Sequence, residues 1–412
     1  MKCIVNGDVV LSRPLEGPLS AHIAAFAAWA REQGYALRSR YRQVLLAACF
    51  SRWLRQQAVS VRRVCAEHPT QYLRSRARRV KIHSGDAAAL RQFIEFLRRE
   101  GVIPAEKMAP CRLTPVEHET QAFETYLRNE CALAETTVAN YVPFIRGFLA
   151  DRFGNGSATL SCLCAGDVVR FVQRQAPRLH QKRAKLLTTA LRSFLRYARY
   201  HGEITSDLAA AVPCVANWSM TSIPRSIPAD AVRQLLASID RRTPGGRRDY
   251  AILLLLARLG LRASEVVFLE LDDIDWAVGQ VSVRGKGGQR AVLPLSAEVG
   301  EAIATYLRHG RPRSTSRRIF LRIKAPIRGF LDQTAIGSIV RHTLARTGIK
   351  APTKGAHQFR HALAMQMLRH GASLSEIGEV LRHRSPQTTT IYAKVDLDAL
   401  RPLALPWPGG AR

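Results

Sequence analysis

The chain has 412 residues, with 62 Lys plus Arg against 32 Asp plus Glu, a formal net charge of +30 and a pI near 10.9. That length exceeds what one hydrophobic core usually serves, so two or three domains are expected. Basic residues run through the whole chain rather than gathering in a tail, which points to nucleic acid along an extended surface and away from a polybasic membrane anchor. No apolar run approaches the roughly 18 residues of a membrane span, and Met1-Lys2-Cys3 begins no signal peptide, so we expect a cytoplasmic, nucleoid-associated protein with no membrane partner.

Residues 1–115 read as helices. Ile23, Phe26, Ala27 and Trp29 form one amphipathic stripe, Val44, Leu45, Ala48, Cys49 and Leu54 a second, and Leu90, Phe93, Ile94 and Leu97 a third. Arg74, Arg76, Arg78, Arg79 and Lys81 make the densest charge run of this region, which holds 20 Lys plus Arg against 8 Asp plus Glu. A solvated helix face would account for such a run; contact with DNA accounts for it and for the balance of the whole region.

Thr114-Pro115 interrupts the pattern, and a second helical set follows over 116–211. Phe123, Tyr126 and Leu127 lie on its first helix, Tyr141, Phe144, Ile145, Phe148 and Leu149 on the next, and Leu186 to Tyr197 on the last, which ends at Gly202. The two sets match one another. Phe26 and Trp29 answer Phe123 and Tyr126, Tyr41 and Trp53 answer Tyr141 and Phe153, and Phe93, Gly101 and Ile103 answer Phe194, Gly202 and Ile204. A duplication explains this; chance alignment of amphipathic helices is the competing explanation.

Eight cysteines fall at 3, 49, 65, 111, 131, 162, 164 and 214. Cys162-Leu-Cys164 lacks the spacing of a zinc knuckle and has no partner cluster, so buried free thiols are expected, with no metal site. Pro213, Pro224 and Pro228, with Ser and Thr between them, mark 212–228 as a linker.

Beyond it, Ala229 to Ile239 and Arg248 to Leu259 read as helices, the latter apolar all round. Gly260 stands as its left-handed cap, just ahead of Arg262-Ala-Ser-Glu265. An arginine directly after a buried helix is costly unless it meets an anion, which could be Glu265 or a ligand. Asp272 to Trp276, Gln280 to Arg284 and Arg290 to Pro294 read as strands, with Gly285-Lys286-Gly287-Gly288 as the turn between the last two. Lys286 is the only lysine between Lys185 and Lys324. An ammonium can give up its proton where a guanidinium cannot, so a general acid is one reason for that choice and a solvated turn the other. The basic loop from Arg311 to Arg318 carries no visible catalytic role, and is expected to lie along a nucleic-acid backbone or in solvent.

His357 and Arg360 then share one face of a helix whose apolar stripe is Leu363, Met367 and Leu368. A second amphipathic helix ends at Leu381-Arg382-His383, and Tyr392 follows nine positions after His383. Taken in order, Arg262, Lys286, His357-x-x-Arg360, His383 and Tyr392, flanked by Gly-Leu-Arg-x-Ser-Glu and Leu-x-His, closely resemble the catalytic end of the tyrosine recombinase (phage integrase) family over about residues 225–400. Phe359 stands where the family usually has Leu. Arg382 stands where it usually has Gly, which adds a side chain beside His383.

The resemblance implies a mainly α fold with a small β-sheet or hairpin in a C-terminal catalytic domain at 229–400, a tail at 401–412, and helical DNA-binding bundles ahead of it that close a C-shaped clamp on DNA. Residues 116–211 are similar to the family's core-binding domain, and 1–115 would be a second, core-binding-like unit. By the same resemblance Tyr392 is the nucleophile, Arg262 and Arg360 bind the phosphate with Glu265 in support, His357 and His383 bind phosphate and move protons, and Lys286 protonates the leaving 5′ oxygen. No cofactor or metal is called for. The implied partners are double-stranded recombination sites, four protomers assembled on them, and accessory proteins. A type IB topoisomerase shares this chemistry, and a DNA-binding protein that has lost cleavage shares the fold.

Overall fold

A computed structural model describes residues 3–5, 9–104, 113–154, 156–215, 226–285 and 288–395; Lys286 and the tail 401–412 lie outside these. They form two compact units, Met1–Glu106 with Ser222–Arg412, and Lys107–Thr221.

The first unit opens with an antiparallel hairpin of β1 (Cys3–Val5) and β2 (Val9–Leu11), where the sequence pattern suggested only helices. Three-residue strands are too short to show alternation. This pair owes its place to Val5, Val9 and Leu11, which are buried in the same core as the helices that follow. Four helices complete the bundle: α1 (Ile23–Glu32), α2 (Leu37–Gln56), α3 (Glu67–Ala77) and α4 (Asp86–Arg99). Their apolar stripes meet in a core of Phe26, Val44, Phe50, Phe93 and Leu97. The turn between α1 and α2 lies against the C-terminal part of the same unit. There the Ile327 N–H donates to the Gln33 carbonyl at 3.0 Å. Gly34 sits at φ +78°, and a Cβ there would stand 2.5 Å from Ile327 Cγ1, so the close approach needs glycine.

The second unit has α5 (Pro115–Asn129), α6 (Glu135–Phe153), α7 (Ala165–Gln175) and α8 (Gln181–Tyr200) around Phe123, Ile145, Phe148, Leu191 and Phe194. Thr114 stops the preceding chain and starts α5 through a capping box. Its hydroxyl accepts from Glu117 N–H at 3.2 Å, and the Glu117 carboxylate accepts from Thr114 N–H at 2.9 Å.

The C-terminal part of the first unit is built on α10 (Pro244–Arg258). It follows α9 (Ala229–Ala237), and its Ala251 to Leu256 segment is fully buried. Around it pack α11 (Ala263–Val267), α12 (Ala297–His309), α13 (Thr334–Thr347) and α14 (His357–Arg369). A three-stranded antiparallel sheet, β3 (Ile274–Asp275), β4 (Gln280–Arg284) and β5 (Arg290–Pro294), lies beside them with Val281 opposite both Ile274 and Leu293. The first strand is shorter than the sequence suggests. Leu271 to Asp273 forms a 3-10 turn instead, closed by the Asp273 carboxylate accepting from Glu270 N–H at 2.8 Å. α15 (Leu374–Val380) and a 3-10 turn over Thr390–Val395 end the described chain. No helix among the described residues is long and apolar enough to cross a membrane.

The 311–318 loop is pinned at Arg311, while Arg313 and Arg317 stay exposed. Arg311 donates to the carbonyls of Ser316, Arg318 and Ile319 at 2.6 to 3.1 Å, Arg317 pairs with Asp272, and Arg318 with Glu270. One expectation is corrected: among the described thiols none is buried, since Cys65, Cys131, Cys162, Cys164 and Cys214 are exposed and Cys49 is half-buried. Small size lets a cysteine sit in a surface turn as easily as in a core.

Candidate active site

Gly260 sets the pocket. Its φ of +55° ends α10, and a Cβ there would come within 2.9 Å of Leu381 and 3.0 Å of Leu363, so α14 and the end of α15 close directly over its backbone. Arg360 enters from the first turn of α14 and is 2 % exposed. Its guanidinium donates to the Gly260 carbonyl at 2.7 Å and to the Leu381 carbonyl. Those carbonyls lie 100 residues before Arg360 and 21 after it, and the one side chain ties the two segments together.

Arg262 caps α11 from just beyond Gly260. Its Nη1 meets Glu265 Oε1 at 2.7 Å, and its backbone N–H donates to Glu265 Oε2 at 2.8 Å. Arg382 comes from the far side, and its Nη2 reaches the same Oε2 at 2.9 Å. In return the Arg382 carbonyl accepts from Arg262 Nη2 at 3.3 Å. Arg382 holds a left-handed backbone, φ +54°, at the place where glycine would be unstrained. Its side chain is turned to Glu265 rather than onto His383, and its buried Nε has no partner among the described residues.

Three guanidiniums therefore gather around one buried carboxylate. Burial pushes the Arg360 pKa down to about 10, with Arg262 and Arg382 adding repulsion and Glu265 only partly offsetting it. Arg382 is likewise pushed down by burial, against the pull of Glu265. A pocket left with two excess positive charges has its electrostatic complement in an anion, and planar forks suit a phosphate.

Tyr392 is 1 % exposed, in the cluster of Ala364, Ile377 and Leu381. Its hydroxyl lies 2.8 Å from His361 Nδ1. Burial pushes the phenol up to about 12, and burial, then His357 and Arg360, push His361 down to about 4. At neutral pH the imidazole is therefore uncharged, and it shares a hydrogen bond with the Tyr392 hydroxyl. His357 stands edge-on to His361, with ring centroids 4.4 Å apart, and is exposed at the mouth of the pocket. His383 Nδ1 is 2.7 Å from the Thr389 hydroxyl, and the ring is pushed down to about 4 by burial and by Arg360 and Arg262.

The structure thus brings Arg262, Glu265, His357, Arg360, His383 and Tyr392 into one pocket from three separate stretches of chain. It adds His361 and Arg382. His361 carried a signal in the sequence, since it lies four residues after His357 on the same helix face. Its pairing with Tyr392, 31 residues away, did not. Lys286 lies outside the described residues, between β4 and β5 in sequence. Arg74, Arg78, Arg79 and Lys81 are exposed at and beyond the end of α3, on the N-terminal bundle, and Arg76 is half-buried with its guanidinium 3.4 Å from the Tyr72 hydroxyl.

Comparison with known proteins agrees with this geometry. The phage integrase family model matches residues 225–398. The "Putative integrase/recombinase y4rA" of Sinorhizobium fredii is 59 % identical over 412 residues, all of both chains. Tyrosine recombinase XerD of Mycobacterium tuberculosis is 31 % identical over 308 residues, 71 % of this chain and 96 % of its own. The crystal structure of the XerH site-specific recombinase bound to palindromic difH substrate, a post-cleavage complex, is similar in fold. It has a TM-score of 0.55 at 17 % identity, over 73 % of this chain and 98 % of that one. With a relative of full length at this identity, and with the arginines, histidines and buried tyrosine assembled in one pocket, the chain belongs to the phage integrase family of tyrosine recombinases, enzymes that break and rejoin DNA in site-specific recombination.

Proposed function

We propose that Tyr392 attacks a phosphodiester of duplex DNA held by Arg262 and Arg360. Its oxygen bonds to phosphorus, the bond from phosphorus to the 5′ oxygen breaks, and a 3′-phosphotyrosyl link stores the bond energy for rejoining. The phenolic proton passes to His361, and the departing 5′ oxygen takes one from Lys286. The two arginines stabilise the added charge on the non-bridging oxygens. His357 and His383 flank them as hydrogen-bonding groups; His383 and His361 are held neutral by burial and the nearby arginines, and an approaching phosphate raises the basicity of these two into the working range. The observation that carries this reading is the Tyr392 hydroxyl on His361 beside a pocket with surplus guanidinium charge.

The palindromic substrate of XerH suggests paired protomers on a symmetric site here as well, and two such pairs make the four-protomer assembly that exchanges strands. The bundle at 116–211 would grip the duplex beside the cleavage point. The test is a nicked duplex built from DNA flanking the gene, on which a cleaved end diffuses away and traps the covalent complex. Unmodified protein should form a denaturation-resistant adduct. Tyr392→Phe should bind the duplex with unchanged affinity, because no charge is removed, and form none. An adduct with Tyr392→Phe would move the nucleophile elsewhere.

A further inference from the structure

The N-terminal bundle and the 113–215 unit have the same internal construction. Both have four helices, of 10, 20, 11 and 14 residues in α1 to α4 and of 15, 19, 11 and 20 in α5 to α8. The match reaches individual rings. Between first and fourth helices, Phe26 meets Phe93 at 4.8 Å and Phe96 at 5.6 Å, and Trp29 meets Phe96 at 5.8 Å. Phe123 meets Phe194 at 5.3 Å and Tyr197 at 5.4 Å, and Tyr126 meets Tyr197 at 4.8 Å. Between second and third helices, Phe50 meets Tyr72 at 5.4 Å and Phe148 meets Phe171 at 5.2 Å.

The chain also leaves the two bundles in one way. Gly101 and Gly202 have φ of +70° and +76°. After them Val102 and Ile103 both donate to the Leu97 carbonyl, at 2.9 and 3.4 Å, and Glu203 and Ile204 both donate to the Ala198 carbonyl, at 2.9 and 3.4 Å. The equivalence differs from the sequence match in its middle: Phe50 answers Phe148, rather than Tyr41 answering Tyr141 or Trp53 answering Phe153. Chance pairing of amphipathic helices gives no reason for the same rings to meet in the same order and for the same doubly accepting carbonyl to follow.

The third-to-fourth helix turn is basic in both. In the second bundle Arg178, Lys182 and Lys185 are exposed there without an ion pair among the described residues; in the first, Arg74, Arg78, Arg79 and Lys81 are. The first copy is the more basic, with 20 Lys plus Arg against 8 Asp plus Glu over 1–115, where 116–211 has 12 against 9. Its charge is thus more than the chain's general excess of arginine.

We propose that the N-terminal bundle is a second copy of the DNA-gripping bundle, and that its α3–α4 turn, through Arg74, Arg78, Arg79 and Lys81, binds the phosphate backbone of duplex DNA outside the stretch covered by the first grip. This rests on the reading that the chain acts on duplex DNA. The interaction is with backbone, so it lengthens the footprint and adds salt dependence without reading sequence.

The experiment uses the full chain on a blunt duplex of arbitrary sequence. Binding is measured across a salt series for three proteins: unmodified, the patch variant (Arg74→Gln, Arg78→Gln, Arg79→Gln, Lys81→Gln), and a control of equal charge (Arg13→Gln, Arg31→Gln, Arg62→Gln, Arg63→Gln), each checked for an unchanged melting temperature. Every phosphate deprived of its cationic partner lowers the slope of log K against log salt by roughly 0.9, so the patch variant should lose about 3 to 4 and the control clearly less. A change below about 1, or one matched by the control, overturns the proposal. Adduct formation by unmodified protein on the nicked duplex is scored separately. Its failure would count against the cleavage reading and leave the slope comparison standing.

Discussion

The proposed catalytic pocket and the turn after α3 are both rich in arginine, and they use the guanidinium in opposite ways. In the pocket Arg360 is buried and held by two main-chain carbonyls, and Arg262 and Arg382 share Glu265. Desolvating those charges costs several kcal/mol each unless they are paired, so each partner matters and geometry is fixed before substrate arrives. At the turn, Arg74, Arg78, Arg79 and Lys81 stay in water. They pay nothing to fold, are free to follow a backbone, and act additively. Pocket changes should therefore give large and mutually dependent losses, and turn changes small and summing ones.

The largest effect beyond loss of the nucleophile should come from His361. If His361 takes the Tyr392 proton as proposed, His361→Ala should form the covalent adduct about 10² to 10⁴ times more slowly while binding duplex as before. Single-turnover adduct formation measures this. An unchanged rate would transfer proton removal to His383 or His357 and confine His361 to packing.

Next is Glu265→Gln, which keeps the shape but leaves Arg262 and Arg382 facing each other without a counter-charge. We expect a loss of about 3 kcal/mol, read as a lower midpoint in urea at unchanged slope. Added inorganic phosphate or duplex should recover part of it by supplying the missing anion. A loss that phosphate and duplex leave untouched would mean that the pocket is not tuned for an anion.

The smallest effect is on pH. His361 and His383 titrate near 4 in the folded protein against 6.5 ordinarily. Between those values the unfolded chain binds protons that the folded one does not, so stability should fall as pH drops from 6.5 toward 4 and lose this dependence above 6.5. Melting temperatures across that range check it, and His361→Gln should flatten part of the slope. The exposed turn, with no histidine among Arg74, Arg78, Arg79 and Lys81, contributes nothing to it.

The sequence by itself marked most of the helical segments, the breaks at Thr114 and Gly260, and the order of the proposed catalytic side chains, because helix periodicity, capping and glycine conformation are local properties. It also carried most of the internal repeat, since buried aromatics recur wherever the same core is built twice. Tertiary structure alone decided the pairings. Arg382 meets Glu265 across 117 residues and Arg360 meets Gly260 across 100. Arg311 turned inward to the carbonyls of Ser316 and Arg318, which no pattern marks. Periodicity tells a side chain which face it occupies, but the partner on that face depends on how distant segments return. A charged group's role, whether pairing, solvation or waiting for an anion, is settled only there, by the dielectric and the neighbours it finds.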